Sequence, residues 1–118
     1  MKLAQVALTV NDVSQAVPFY RDVLGLKLLF EQPKLAMFDA GSARLMLSGF
    51  PRDENNPESV LYYSVDDMQS AWEELTVKGV DIVTEPRMVG KMEGREFHVA
   101  VIRDQDRRMV GIMSEVRG

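Results

Sequence analysis

The chain has 118 residues, 46% of them apolar and 27% charged, a length and balance that suit one globular domain with a hydrophobic core. No apolar run approaches the roughly 20 residues that a membrane-spanning helix needs, and without cysteine there can be no disulfide, thiol nucleophile or thiolate metal site. Eighteen acidic residues against 14 basic ones give a net charge of −4, which argues against nucleic acid as the main partner. The N-terminus passes straight from Met1-Lys2-Leu3 into alternating apolar residues, so no secretory leader is read there and a cytoplasmic protein is expected.

Val6, Leu8 and Val10 alternate with Ala7 and Thr9, the period-two pattern of a half-buried strand. Asp12 then offers a carboxylate to the free amides of a helix start. Val13, Ala16, Val17, Tyr20, Val23 and Leu24 follow at helical spacing, and Gly25 can take the left-handed cap. Pro18 lies inside that span and removes one helical hydrogen bond. Three strand-like runs come next, Leu26–Phe30, Leu35–Asp39 and Arg44–Ser48, with turns expected at Gln32-Pro33-Lys34 and Ala40-Gly41-Ser42. A segment rich in proline, asparagine and charge, at about 51–58, links this half (about 1–50) to the next (about 59–118).

In the second half a strand around Leu61–Val65 precedes Asp67, a second cap. Met68, Ala71, Trp72 and Leu75 then form an apolar helical stripe that Gly79 ends. Trp72 is expected to pack this helix onto its sheet. Strands are expected at Asp81–Thr84, Phe97–Arg103 and Met109–Ser114. Glu85–Glu96, with Gly90 and Gly94, reads as a long mobile loop. Arg103, Arg107 and Arg108, interleaved with Asp104 and Asp106, read as a solvated turn.

The halves echo each other. At an offset of 55, Val10 meets Val65, Asp12 meets Asp67, Val13 meets Met68 and Ala16 meets Ala71. At an offset of 65, Asp39 meets Asp104, Leu45 meets Val110 and Leu47 meets Ile112. Each half is thus a β-α-β-β-β unit, with a sheet face that it cannot cover alone.

The run Val10-Asn11-Asp12-Val13, then Ala16, then Phe19-Tyr20-Arg21-Asp22-Val23-Leu24-Gly25-Leu26 resembles the opening of the vicinal oxygen chelate superfamily, which includes glyoxalases, bleomycin-resistance proteins and extradiol dioxygenases. Val65-Asp66-Asp67, Ala71, Leu75 and Gly79 match its second half. Asp104-Gln105-Asp106-Arg107 is similar to a degraded form of its Asp-Pro-Asp-Gly turn. The resemblance covers nearly the whole chain. It implies a single α+β domain over 1–118: tandem β-α-β-β-β units forming an open, cup-shaped, eight-stranded mixed sheet with helices outside.

The resemblance also implies four metal-ligand positions, two per half, which fall here on Gln5, Met46, Val60 and Gly111. A divalent ion needs several oxygen or nitrogen donors, some of them charged. One amide, one thioether, an isopropyl group and a bare backbone do not supply them, so no metal and no cofactor are expected. Two-residue alternation in that register gives the cup Gln5, Ala7 and Thr9; Arg44, Met46 and Ser48; Val60, Tyr62 and Ser64; and Met109, Gly111 and Met113. This lining is apolar, rich in sulfur and lightly polar, which suits a bulky, partly apolar ligand. Tyr62 offers a flat ring with a polar tip, and Arg44 could hold a carboxylate or phosphate.

Two functional readings stand, and a third without a ligand. The first is a metal-independent binding protein of the bleomycin-resistance type that sequesters a small, partly apolar or aromatic molecule. The second is a glyoxalase-, dioxygenase- or epimerase-like enzyme with a metal or base elsewhere. Its candidate bases are Tyr62, His98 and the loop residues Glu93 and Glu96, against which stand a locally bonded strand histidine and solvated loop carboxylates. The third is a structural or regulatory dimer. Exposed sheet edges lead us to expect a homodimer in any case.

Overall fold

The computed structural model describes residues 4–51 and 60–117. The chain divides into two compact units, Met1–Glu58 and Ser59–Gly118. All but the first residue of the expected linker lies outside the described residues.

The first unit runs β1 (Gln5–Thr9), α1 (Val13–Pro18), a π-helical turn (Phe19–Val23), β2 (Lys27–Gln32), β3 (Leu35–Asp39) and β4 (Arg44–Ser48). Its four-stranded sheet has the order β1-β4-β3-β2, with β1 parallel to β4 and the other pairs antiparallel. Asp12 starts α1: one carboxylate oxygen accepts from the Ser14 amide at 2.9 Å and from the Ser14 hydroxyl at 2.7 Å. These bonds, the hydroxyl's first, hold the Asp12 carboxyl below its usual range.

The spacing predicts one helix from Val13 to Leu24, but the α-helix stops at Pro18. Proline has no amide hydrogen to give the carbonyl four residues back, and its ring crowds the preceding turn. The chain continues as a wider turn, in which the Leu24 amide donates to the Phe19 carbonyl at 3.1 Å, five residues back. Gly25, at φ +76°, then closes the helix as expected. Tyr20 is buried against Phe38 of β3, ring centroids 6.1 Å apart. Leu8, Val10, Val13, Ala16, Val17, Leu45 and Leu47 complete this core. The helical segment therefore lies on the sheet face that carries Leu8, Phe38, Leu45 and Leu47.

The second unit runs β5 (Leu61–Ser64), α2 (Met68–Val77), β6 (Asp81–Met92), β7 (Arg95–Arg103) and β8 (Met109–Arg117). Its sheet order, β5-β8-β7-β6, repeats the first, with β5 parallel to β8. The repeat extends to register. Adding 55 to the β1 member and 65 to the β4 member turns Ala7↔Met46, Leu8↔Leu47 and Thr9↔Ser48 into Tyr62↔Gly111, Tyr63↔Ile112 and Ser64↔Met113. The caps repeat too: the Asp67 carboxylate accepts from the Gln69 amide at 3.0 Å, as Asp12 does from Ser14. The protein is thus α+β, with two four-stranded mixed sheets of one topology.

Two expectations for this unit are corrected. The segment Glu85–Glu96 is not a loop, since β6 and β7 pair along it up to Met92↔Arg95. Glu93 (φ +52°) and Gly94 (φ +76°) form a two-residue hairpin turn with both torsions positive, which matches the twist of the flanking strands. Pro86 and Gly90 break the alternation, and register shifts at Thr84/Arg87 and Met88/Gly90 absorb them. The turn after β7 is not simply solvated. The Asp104 side chain is fully buried and accepts from the amides of Asp106 and Arg108, both at 2.9 Å, and from Arg108 Nη1 at 3.2 Å.

Trp72 is only half-buried, and of the α2 residues Leu75 alone is fully buried. Among the described residues no helix is long and apolar enough to cross a membrane.

Candidate functional site

Strand alternation divides each sheet into a face under the helix and a face turned away from it. In the first unit the second face carries Gln5, Ala7 and Thr9 of β1 beside Arg44, Met46 and Ser48 of β4, in the pairs Gln5↔Arg44, Ala7↔Met46 and Thr9↔Ser48. All six expected side chains of this unit therefore share one face. Gln5 Nε2 reaches Met46 Sδ at 3.8 Å, so the two positions that the family would use for a metal are in contact with each other. Arg44 is exposed, between Gln5 on one side and Asp39 on the other.

The row through Ala7 and Met46 continues onto Met37 of β3 and Phe30 of β2. Sequence reasoning overlooked both. Met37 lies an odd nine residues before Met46, so two-residue counting through the β3–β4 turn passes over it, and only the hairpin register brings the two side by side. Phe30 was hidden by the register shift between Leu28 and Phe30.

In the second unit Tyr62 and Ser64 of β5 share a face with Met109, Gly111 and Met113 of β8, and Val60 directly precedes β5. Val101 and Val99 of β7 extend the rows from Gly111 and Met113. The Tyr62 ring lies over Gly111: a Cβ built on that glycine would sit 2.6 Å from Cε1 and 2.7 Å from Cγ of the ring. No side chain fits at Gly111 while the ring stays there.

The remaining candidates lie elsewhere. His98 belongs to the opposite face, which also carries Ala100 and Ile102, and pairs across the strands with Ser114. Its Nε2 lies 3.3 Å from Glu96 Oε1, the local partner that a strand histidine was expected to find. Glu96 is also 4.0 Å from Lys91 Nζ, and Glu93 is a hairpin-turn residue. None of the three shares a face with Tyr62. Tyr63, next to Tyr62, points the other way, and its buried hydroxyl has no partner among the described residues. Burial pushes that phenol up to about 12, with Arg108 lowering it and Asp104 raising it by smaller amounts.

The donor set does not fit a divalent metal. Gln5 and Met46 offer one amide and one thioether, and the amide nitrogen is turned to the sulfur. Val60 offers no donor, and the backbone of Gly111 is covered by an aromatic ring. Among the described residues no group of three or more histidine, aspartate or glutamate side chains could hold an ion.

A model of the Glyoxalase/Bleomycin resistance protein/Dioxygenase superfamily matches residues 2–112. The chain belongs to that superfamily. It is 29% identical over 127 residues to the "Uncharacterized protein YraH" of Bacillus subtilis (strain 168), covering 95% of this chain and 97% of that protein. The fold is similar to a lactoylglutathione lyase from Agrobacterium tumefaciens, with a TM-score of 0.74, 20% identity, and 95% and 92% of the two chains covered. It is also similar to a protein from the mobile metagenome of V. Pseudocholerae, with a TM-score of 0.76, 24% identity, and 97% and 94% covered. Superfamily membership fixes neither metal nor chemistry, since one fold hosts many activities. The site has to decide.

Proposed function

We propose that this superfamily member is a metal-independent binding protein for a small, partly apolar or aromatic molecule, held on the sheet faces turned away from the helices. The observation that carries the reading is the state of the four family metal positions. Two are engaged with each other through a weak amide–thioether contact, one is an isopropyl group, and one lies beneath the Tyr62 ring. What these positions offer instead is thioether and aromatic surface, which adapts to apolar ligands. Arg44, to which no carboxylate is bonded among the described residues, supplies a cation for a ligand carboxylate or phosphate.

The test is a thermal-unfolding screen of chelator-stripped protein against planar antibiotics, aromatic acids and aliphatic acids. We expect a saturable rise in melting temperature with at least one aromatic class. Met46→Lys, which puts a charge into the apolar row, should abolish it without unfolding the protein. No shift with any organic class, together with turnover of a glyoxalase-type substrate, would overturn the reading in favour of an enzyme.

We further propose that the protein works as a homodimer. Among the described residues β2 and β6 each end the sheet of their own unit, and β6 is twelve residues long with Met88 and Val89 exposed. Light scattering at micromolar concentration should give twice the chain mass. A monomer mass would contradict this.

A further inference from the structure

We infer that Tyr62 is a fixed stacking platform, so that the second unit selects a planar aromatic ring system over an aliphatic group of the same size. This deepens the proposed function and rests on it.

The argument starts from Gly111. Tyr62 and Gly111 are direct partners in the parallel β5–β8 pair. The ring atom nearest an ideal Cβ at Gly111 is Tyr62 Cδ1, and the two atoms bonded to it, Cε1 at 2.6 Å and Cγ at 2.7 Å, are about equally near. A Cβ meeting the Cδ1 edge in the plane of the ring would leave both of those neighbours much farther away than Cδ1, whereas here they are only slightly farther. The ring therefore lies flat on the glycine, in the space that any other residue would fill. An aromatic ring laid over a strand glycine covers exposed backbone and holds the ring still.

Tyr62 nevertheless remains 52% exposed. With one face on the Gly111 backbone, that exposure belongs to the other face and the ring edge. A π-face turned away from the glycine and open outward is what offset stacking requires. A tyrosine orders only two side-chain torsions, and here the glycine below already restricts them, so a stacking ligand bears little of the ordering cost.

The surroundings narrow the ligand further. Met109 and Met113 lie two residues either side of Gly111 on the same face of β8, with Met109 42% exposed. Four residues of strand separate their Cα atoms by about 13 Å. Less the bulk of the two side chains, this leaves a slot the width of one fused ring system. Thioethers favour contact with the edges of aromatic rings. Ser64 is exposed and two residues from Tyr62 on the same face, and its hydroxyl forms no hydrogen bond among the described residues. Its hydroxyl can pair with one polar group on the ligand rim. The chemistry that fits is a planar fused aromatic with one amide or carbonyl at its edge.

The test uses two probes, naphthalene-2-carboxamide and its fully saturated decahydro counterpart, titrated into the full chain by calorimetry. The wild-type protein should bind the planar probe roughly five- to tenfold more tightly, the size of one stacking contact. Tyr62→Phe should keep that preference and Tyr62→Leu should remove it. Gly111→Ala is the sharper variant, because it keeps the tyrosine but lifts its ring. It should remove the preference while the melting temperature shows a folded protein. Equal binding of the two probes by the wild type, or a preference that survives both Tyr62→Leu and Gly111→Ala, would overturn the platform yet leave the proposed binding function standing. Binding of neither probe, nor of any ligand class in the thermal screen, would overturn both.

Discussion

In the first unit α1 and the π turn bury Val13, Ala16, Val17 and Tyr20, whereas at the matching places α2 carries Met68, Ala71, Trp72 and Leu75 and fully buries only the last. The two helix starts are the same, however, and so is the pairing register of the strands that flank them. What the duplication preserves is the hydrogen-bonding frame, in which a single slip would turn every side chain of a strand to the wrong face. Side-chain volume has drifted inside that frame. At the central pair of each uncovered face the sizes are exchanged: small Ala7 beside large Met46 in one unit, large Tyr62 beside absent Gly111 in the other. One unit thus presents a flexible thioether from its last strand. Its counterpart presents a stiff ring from its first.

The difference between the two interiors can be tested by truncating matched positions. Tyr20→Ala should cost about 3–5 kcal/mol in urea unfolding, because a fully buried ring packed on Phe38 is lost. Trp72→Ala, from a half-buried position, should cost less than half as much. Equal losses would mean that the second helix is packed as tightly as the first.

Asp39 and Asp104 sharpen the comparison in the opposite sense. Each accepts a hydrogen bond from the amide two residues on, at 2.9 Å. Asp39 is exposed, whereas Asp104 is buried and holds Arg108 as well. Asp104→Ala should therefore cost about 3 kcal/mol, since it leaves a largely buried guanidinium without its partner. Asp39→Ala should cost under about 1 kcal/mol. The melting temperatures of the two variants would check this.

The helix caps, where the units agree, should respond alike. Asp12→Ala and Asp67→Ala should each cost about 1 kcal/mol, and a marked difference by urea titration would break the claim of a shared frame. The smallest expected effect is at Tyr63. Its buried hydroxyl has no partner among the described residues, so Tyr63→Phe should be neutral or slightly stabilising at pH 7. Its folded pKa of about 12 lies above the value of 10.0 for the free side chain, so the folded state keeps a proton that the unfolded state loses. That stabilisation is fully present below pH 10 and is lost as pH rises through about 12. Unfolding measured between those values should show a shallower loss of stability in Tyr63→Phe.

The frame was legible because caps and alternation are local. Asp12, Asp67, Gly25 and the strand runs Leu35–Asp39 and Arg44–Ser48 announce themselves within a few residues. The β6–β7 hairpin was not legible, because Pro86 and Gly90 are loop signals by composition and only cross-strand pairing with bulges makes them strand residues. The burial of Asp104 was hidden among charges whose partners lie along the turn itself. At the candidate site, alternation identified which residues share a face. It did not reveal Met37 or Phe30, which join through neighbouring strands, nor that the Tyr62 ring lies flat on Gly111. The last depends on a rotamer, and no spacing encodes that.

The central claim is that the family metal positions have been given over to apolar and aromatic surface. Calorimetric titration of chelator-stripped protein with nickel(II), manganese(II), zinc(II) and iron(II) addresses it most directly. The account predicts no saturable heat for any of the four at micromolar protein. One-to-one binding of any of them, lost in Gln5→Ala, would contradict it.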